Sequence, residues 1–163
     1  MNIVNVGYGS TNYSLVIGDP AAMLLVTQFH PDHAGLAQEL RNAGARLVLM
    51  ETQLSGAGEL KKIMKPDGGY VEIVVAGAPV LSFAASRGVL AGIGIAGEIL
   101  ATPGHSPDSV SRVLDDGTAF TGDLPPESLL AETDAIARDS WRQLRRRGAR
   151  TIFPAHGGVR SLG

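Results

Sequence analysis

The four histidines of this chain limit its fold and chemistry more than any other feature. Together with two aspartates they form a spaced set of six side chains: His30, Asp32, His33, His105, Asp123 and His156. Imidazole and carboxylate groups together suit Zn²⁺, Fe or Mn. Because the set comes from four separate segments, it can bind a metal only after folding has brought those segments together. The spacing therefore predicts a metal site assembled by the tertiary fold.

Length and composition exclude several classes of protein. A chain of 163 residues predicts one domain, residues 1–163, that can bury a core without covalent staples. The absence of cysteine excludes disulfides, thiolate ligands and a cysteine nucleophile. The net charge of −2 argues against a nucleic-acid partner, which usually requires a basic face. No signal peptide and no clean apolar span is apparent, so we expect no membrane association and a cytoplasmic location.

The first half of the chain shows alternating strand and helix signals. Residues 12–17 and 22–26 are β-prone and flank a Gly-Asp-Pro turn at 18–20, which predicts a hairpin. Helical spacing of apolar residues over 34–43 predicts a helix that ends at Gly44. A buried strand at 47–50 and a helix at 51–65 are predicted next.

In the second half, six strands are predicted, at residues 70–75, 80–83, 97–101, 110–114, 118–121 and 151–153. The Asp116-Gly117 turn makes 110–121 the clearest hairpin of the chain. A helix capped by Thr133 and closed by Gly148 should bury one apolar face, formed by Ile136, Ala137, Trp141 and Leu144. All four ligand-bearing segments follow predicted strands, and loops held by strands are where binding sites are usually built.

The order of the ligand segments makes the pattern specific. A His-x-Asp-His string alone arises readily in surface loops. Here it is followed in order by Gly104-His105, Gly122-Asp123 and His156-Gly157. Competing motifs are missing from the sequence, since it contains neither a Walker A loop nor the Gly-x-Ser-x-Gly of a serine hydrolase.

This series of motifs resembles the metallo-β-lactamase-fold hydrolase superfamily, whose pattern is His-x-His-x-Asp-His, then Gly-His, Gly-Asp and a final His-Gly. The resemblance implies an α/β fold, an αβ/βα four-layer sandwich with the metal at one edge. It also implies that His30 and His105 bind a first metal and that a second metal is held by three further ligands: Asp32, His33 and His156. Asp123 would bridge the two metals. The implied cofactor is zinc, one or two ions, with iron or manganese as alternatives.

Two departures from the family pattern stand out. Gln28 replaces the first histidine, and an amide oxygen is a weaker ligand than imidazole, so the first site should be weakened or empty. The strand-helix segment that the family places before the metal ligands is also missing ahead of residue 27, and we expect this to expose a sheet edge that a second copy of the chain covers. Turn chemistry alone explains three polar residues near His105: Ser106, Asp108 and Ser109.

The resemblance implies a metal-dependent hydrolase of a small-molecule substrate. Metal-bound hydroxide would attack an ester, thioester, lactone, lactam or phosphoester, with Asp32 and Asp123 as the catalytic residues that orient the water. The alternative is a catalytically impaired relic of the same fold that acts as a structural or binding module. It follows from the two departures and from the closed shell that four protein ligands tend to form.

Overall fold

The structure, a computed structural model, describes residues 2–8, 11–17, 23–63 and 71–163. Its strands are β1 (Asn2–Tyr8), β2 (Thr11–Ile17), β3 (Met23–Leu24), β4 (Arg46–Leu47), β5 (Leu49–Met50), β6 (Val80–Leu81), β7 (Gly97–Ala101), β8 (Val110–Leu114), β9 (Thr118–Gly122), β10 (Thr151–Pro154) and β11 (Arg160–Ser161). Its α-helices are α1 (Pro31–Ala34), α2 (Ala37–Asn42), α3 (Gly56–Ile63), α4 (Phe83–Ala91) and α5 (Ala135–Arg146).

The largest sheet has five strands in the order β11-β10-β9-β8-β7. Neighbours are antiparallel except β9 and β10, which are parallel. The predicted hairpin lies at its centre, where Asp116 Oδ1 accepts a hydrogen bond of 2.8 Å from the Thr118 amide. Gly117 has a φ of +88°, a backbone conformation that glycine adopts without steric cost. Local turn chemistry therefore sets this register as predicted.

Short parallel pairs form a second β layer, in which β3 pairs with β4 and β5 with β6. Side chains of successive residues point to opposite faces of the large sheet, so each strand contributes to two cores. Ile99 and Leu114 face the second β layer, whereas Leu100 and Val113 face α5. Helices α1 and α2 pack on the far side of the short strands. The resulting helix-sheet-sheet-helix order is the predicted αβ/βα sandwich.

Helix α5 covers the outer face of the large sheet. Ala137, Trp141 and Leu144 are buried as predicted, and the Trp141 indole donates a 2.8 Å hydrogen bond to the Pro125 carbonyl. Two details of the prediction are wrong. Ile136 is 64% exposed because its position lies at the edge of the apolar stripe, beside a surface groove.

The N-cap of α5 was also predicted wrongly. It is Asp134 and not Thr133, and the Asp134 side chain accepts from the Ala131 amide instead of capping the helix. At the other end Gly148, with a φ of +79°, closes the helix as predicted.

The predicted hairpin of residues 12–17 with 22–26 is wrong. β2 pairs instead with β1, in a register from Asn2 opposite Ile17 to Tyr8 opposite Thr11, and β3 pairs in parallel with β4. β1 offers seven pairing residues to β2, whereas β3 has only two. The predicted turn at 18–20 lies outside the described residues. Five residues separate β2 from β3, too few for a strand-helix unit.

The helix predictions of the first half are partly right. The helix predicted over 34–43 is present as the α1–α2 pair, and Gly44 follows it with a φ of +104°. The helix predicted over 51–65 is a 3-10 turn at Glu51–Gln53 followed by α3, and residues 64–65 lie outside the described range.

Two predicted strands are also corrected. Residues 71–75 are irregular, and residue 70 lies outside the described range. Side chains of α2 satisfy that backbone: Gln38 Oε1 accepts 2.8 Å from the Val74 amide, and Arg41 donates to the Val74 carbonyl. The strand predicted at 80–83 ends at Leu81, because Ser82 caps α4 by accepting from the Ala85 amide.

Among the described residues, no helix has both the length and the apolar character that crossing a bilayer requires.

Candidate metal centre

The topology brings the ligand segments to one edge of the large sheet. β7, β9 and β10 run in the same direction, so the chain leaves all three at that edge. His105 follows β7, Asp123 follows β9, and His156 follows β10. The fourth ligand segment, residues 27–33, is held at the same edge by a hydrogen bond. The Val110 amide at the start of β8 donates 2.8 Å to the Thr27 carbonyl.

Asp32 and His33 lie in the first turn of α1. Pro31 occupies its first position, where a missing N–H costs nothing, and His30 is the N-cap. In this turn the side chains of Asp32 and His33 point into one group of ligands, whereas the side chain of His30 points into another.

The four-ligand cluster consists of Asp32, His33, Asp123 and His156, each with a ligand atom within 4.8 Å of the others. His33 Nε2 lies 2.9 Å from Asp123 Oδ2. His156 Nε2 lies 3.1 Å from Asp32 Oδ2 and 3.3 Å from Asp123 Oδ1. Two carboxylates and two imidazoles thus converge on one small volume.

The three-ligand cluster consists of His30, His105 and Asp123. His30 Nδ1 and His105 Nε2 face each other at 3.1 Å, with the rings edge to face. His105 Nε2 lies 3.5 Å from Asp123 Oδ2. The structure thus brings all six predicted ligands together and makes Asp123 common to both clusters.

His33 is held by a residue outside the predicted set. Its ring is buried, and Nδ1 lies 2.8 Å from Thr27 Oγ1, which leaves Nε2 directed at Asp123. Hydrogen bonds of this kind fix the ring and tautomer of metal-binding histidines. Gly122 makes room for Thr27, since a Cβ there would lie 2.8 Å from Thr27 Oγ1.

Gln28 is completely buried beside the ligands. Its Nε2 donates a 2.7 Å hydrogen bond to Asp123 Oδ2. Its Oε1 points away from the clusters, 3.0 Å from the Ser109 hydroxyl and 3.3 Å from the Ser106 hydroxyl. The amide oxygen, the only atom of Gln28 able to bind a metal, is therefore turned to the serines.

Turn chemistry is not a sufficient explanation for the polar residues after His105. Ser106, Asp108 and Ser109 are all buried. Asp108 accepts 2.6 Å from the Ser106 hydroxyl and 2.9 Å from the Phe29 amide. The Phe29 contact and the Ser109 contact with Gln28 connect the 105–109 loop to residues 28–29, just before the first ligands. The partners in these two contacts lie 79 and 81 residues apart along the chain, so no local signal in the sequence predicts them.

Asp123 is the electrostatic centre of the site. Burial acts to raise the pKa of its carboxyl group, but the hydrogen bond from His33 and the charges of His33, His105 and His156 outweigh it, so the pKa is lowered. Asp123 Oδ1 is buried and receives no hydrogen bond among the described residues. An ionised carboxylate oxygen without a donor, beside imidazole nitrogens and a second carboxylate, fits a divalent metal ion.

A groove of about 460 Å³ begins at His105. It lies between two segments, residues 103–107 and residues 133–137. His105 and Asp134 are the ionisable groups among the described residues that line it. The exposed Ile136 side chain forms part of its wall, so the groove offers an apolar surface next to the ligands.

Comparison with known families and structures identifies the family and the fold. The family model described as the metallo-beta-lactamase superfamily matches residues 23–156. A metallo-beta-lactamase family protein from Thermus thermophilus is 19% identical, with a TM-score of 0.66 over 98% of this chain and 73% of that chain. Comparison with curated proteins gives no significant match.

Two further structures are similar and were solved with metal. TTHA1623, in a di-iron-bound form, is 21% identical, with a TM-score of 0.65 over 100% of this chain and 96% of that chain. The metallo-beta-lactamase FIM-1 from Pseudomonas aeruginosa, in a mono-zinc form, is 18% identical, with a TM-score of 0.61 over 98% of this chain and 77% of that chain. At these identities the structures show a shared fold.

The family match covers most of the chain, which therefore belongs to the metallo-beta-lactamase superfamily, a superfamily of metal-dependent hydrolases.

Proposed function

We propose that this protein is a metal-dependent hydrolase that works with one metal ion, held in the four-ligand cluster of Asp32, His33, Asp123 and His156. The observation that carries the proposal is the convergence of these four side chains within 4.8 Å, around a carboxylate oxygen that receives no hydrogen bond from the described residues. Zinc is the first candidate for the ion and iron or manganese are alternatives, since nitrogen and carboxylate ligands suit all three.

A bound ion of this kind would lower the pKa of water toward neutrality and polarise the scissile carbonyl or phosphoryl group. Asp32 is suited to hold and orient the attacking water, because its side chain is 42% exposed and reaches the site from the solvent side. Asp123 would act from the buried side, where the hydrogen bond from Gln28 fixes its orientation.

The groove beside His105 favours one part of the substrate range. No lysine or arginine is among the described residues that line it, and Asp134 is its acidic group. An anionic substrate would find no counter-charge there, whereas an uncharged acyl group could contact Ile136 and the prolines. We therefore favour a small uncharged ester, thioester or lactone over a phosphoester.

One observation supports a second candidate function, a metal-binding module without turnover. Four protein ligands on one ion make the closed shell that is typical of structural sites. Turnover then requires that a ligand moves or that the coordination number increases. The exposed members of the cluster, Asp32 and His156, are the ones with room to move.

A cytoplasmic location of this protein stays a prediction.

Hydrolysis by the reconstituted protein decides between the two functions. The protein is stripped with a chelator, reloaded with zinc, iron(II) or manganese(II), and tested on esters, thioesters, lactones, lactams and phosphoesters. We expect turnover that depends on metal and is lost in Asp32→Ala but kept in Asp116→Ala, which changes an exposed turn carboxylate instead. Metal-loaded protein that is inactive on every substrate would favour the binding module.

A further inference from the structure

The direction of the Gln28 amide follows from its neighbours. An ionised carboxylate only accepts hydrogen bonds, so the group 2.7 Å from Asp123 Oδ2 must be the NH₂ of Gln28. The opposite direction would place two oxygens in contact in a buried site. Oε1 must then point to the serine hydroxyls.

The serines supply the matching donor. The Ser106 hydroxyl has one proton and lies 2.6 Å from Asp108 Oδ1, the nearer and charged acceptor. The Ser109 hydroxyl lies 2.7 Å from Ser106 Oγ and 3.0 Å from Gln28 Oε1, and its proton is the remaining hydroxyl proton that can be donated to the amide oxygen. The Gln28 amide is therefore held at both ends, by Ser109 at its oxygen and by Asp123 at its nitrogen.

The orientation of the Gln28 amide affects the two clusters of ligands differently. At Asp123, Oδ2 receives an N–H from Gln28 and lies 2.9 Å from His33 Nε2, while Oδ1 receives no hydrogen bond among the described residues and lies 3.3 Å from His156 Nε2. A cation in the three-ligand cluster would have to share Asp123 Oδ2 with the Gln28 NH₂ group. The partial positive charge of those amide hydrogens would repel it. That cluster also lacks any contribution from the Gln28 oxygen.

We propose that Gln28 is a positioning residue that commits the site to a single ion: its amide, oriented by Ser109, holds Asp123 for the four-ligand cluster and disfavours a second ion between His30 and His105. The proposal rests on metal binding, which is one part of the proposed function, and does not depend on turnover.

The test compares two serines of the same strand region. Ser109→Ala removes the donor to Gln28. Ser111→Ala is the matched control, because Ser111 is equally buried but its hydroxyl pairs with Thr102, 2.7 Å away. Zinc affinity is measured by competition with a chelator, and the coordination sphere by the absorption spectrum of the cobalt(II) protein. Neither measurement requires a substrate.

We expect Ser109→Ala to weaken zinc binding about tenfold, as changes in groups behind metal ligands do, and to shift the cobalt(II) bands. Ser111→Ala should leave both unchanged even where it lowers thermal stability. Equal effects of the two variants would overturn the proposal while leaving the hydrolase assignment intact.

Gln28→Glu provides an independent arm. The substitution keeps the shape of the side chain but replaces the N–H donor with a carboxylate oxygen next to Asp123 Oδ2, the oxygen that lies 3.5 Å from His105 Nε2. We expect the variant to bind two cobalt ions per chain where the wild type binds one. A wild type that binds two ions, or a Gln28→Glu protein that still binds one, would overturn the proposal. A wild type that binds no ion would overturn the proposed function as well.

Discussion

The substitution Asp123→Asn should remove most of the stability that metal binding gives to this protein. Asp123 belongs to both clusters, and its carboxylate contacts His33 at 2.9 Å and His156 at 3.3 Å. Asp123→Asn keeps the size of the side chain but removes its charge. Replacing a group behind a metal ligand already weakens binding about 10–100-fold, so the loss of a charged direct ligand should reach at least the upper end.

The size of the effect follows from linkage. At free zinc of about 1,000 times Kd, binding stabilises the wild type by about 4.1 kcal/mol. A 100-fold weaker variant keeps about 1.4 kcal/mol at the same zinc concentration. Each kcal/mol corresponds to about 3 °C in Tm for a chain of this size, so zinc should raise Tm by about 12 °C in the wild type and by about 4 °C in the variant.

The assay is thermal unfolding of stripped and zinc-loaded protein, followed by circular dichroism. Asp139→Asn is the control, because it removes an equal charge from an exposed carboxylate of α5, 3.0 Å from Arg142 and outside both clusters. The control should keep the full zinc-induced shift. An Asp123→Asn protein that zinc stabilises as much as the wild type would refute the placement of the ion.

Three further substitutions test the surroundings of the site and the core. Thr27→Val removes the hydroxyl 2.8 Å from His33 Nδ1 and should weaken zinc binding about tenfold in chelator competition, whereas an unchanged Kd would show that Thr27 does not orient the ring. Gly122→Ala adds a Cβ 2.8 Å from Thr27 Oγ1 at a φ of +56° and should cost about 1–3 kcal/mol in urea unfolding. Leu144→Ala empties a fully buried position and should cost about 2–5 kcal/mol, while Leu129→Ala, 77% exposed, should cost little.

The parts of the fold that local chemistry determines were predictable from the sequence. The β8–β9 hairpin is set by the Asp116-Gly117 turn, and the end of α5 by Gly148. Pairings between distant segments were not predictable in the same way. β3 was assigned to a hairpin with its sequence neighbour, but it pairs with β4, more than twenty residues later. Nothing in a two-residue strand specifies that partner.

The site divides along the same line. The ligand types and their order in the chain indicated the six side chains that the structure brings together, because metal chemistry restricts which residues can serve. The roles of Thr27, Gln28 and Ser109 depend on hydrogen bonds and directions that appear only in the folded chain. The sequence therefore marked Gln28 as a departure but could not show where its amide points.

The most direct test of a single ion in the four-ligand cluster is the metal content of two histidine variants after exhaustive dialysis. His156→Ala removes a ligand of that cluster, and His105→Ala removes one of the three-ligand cluster. We expect one zinc per chain in the wild type and in His105→Ala, and little zinc in His156→Ala. Retention of zinc by His156→Ala together with its loss from His105→Ala would contradict a single ion in the four-ligand cluster.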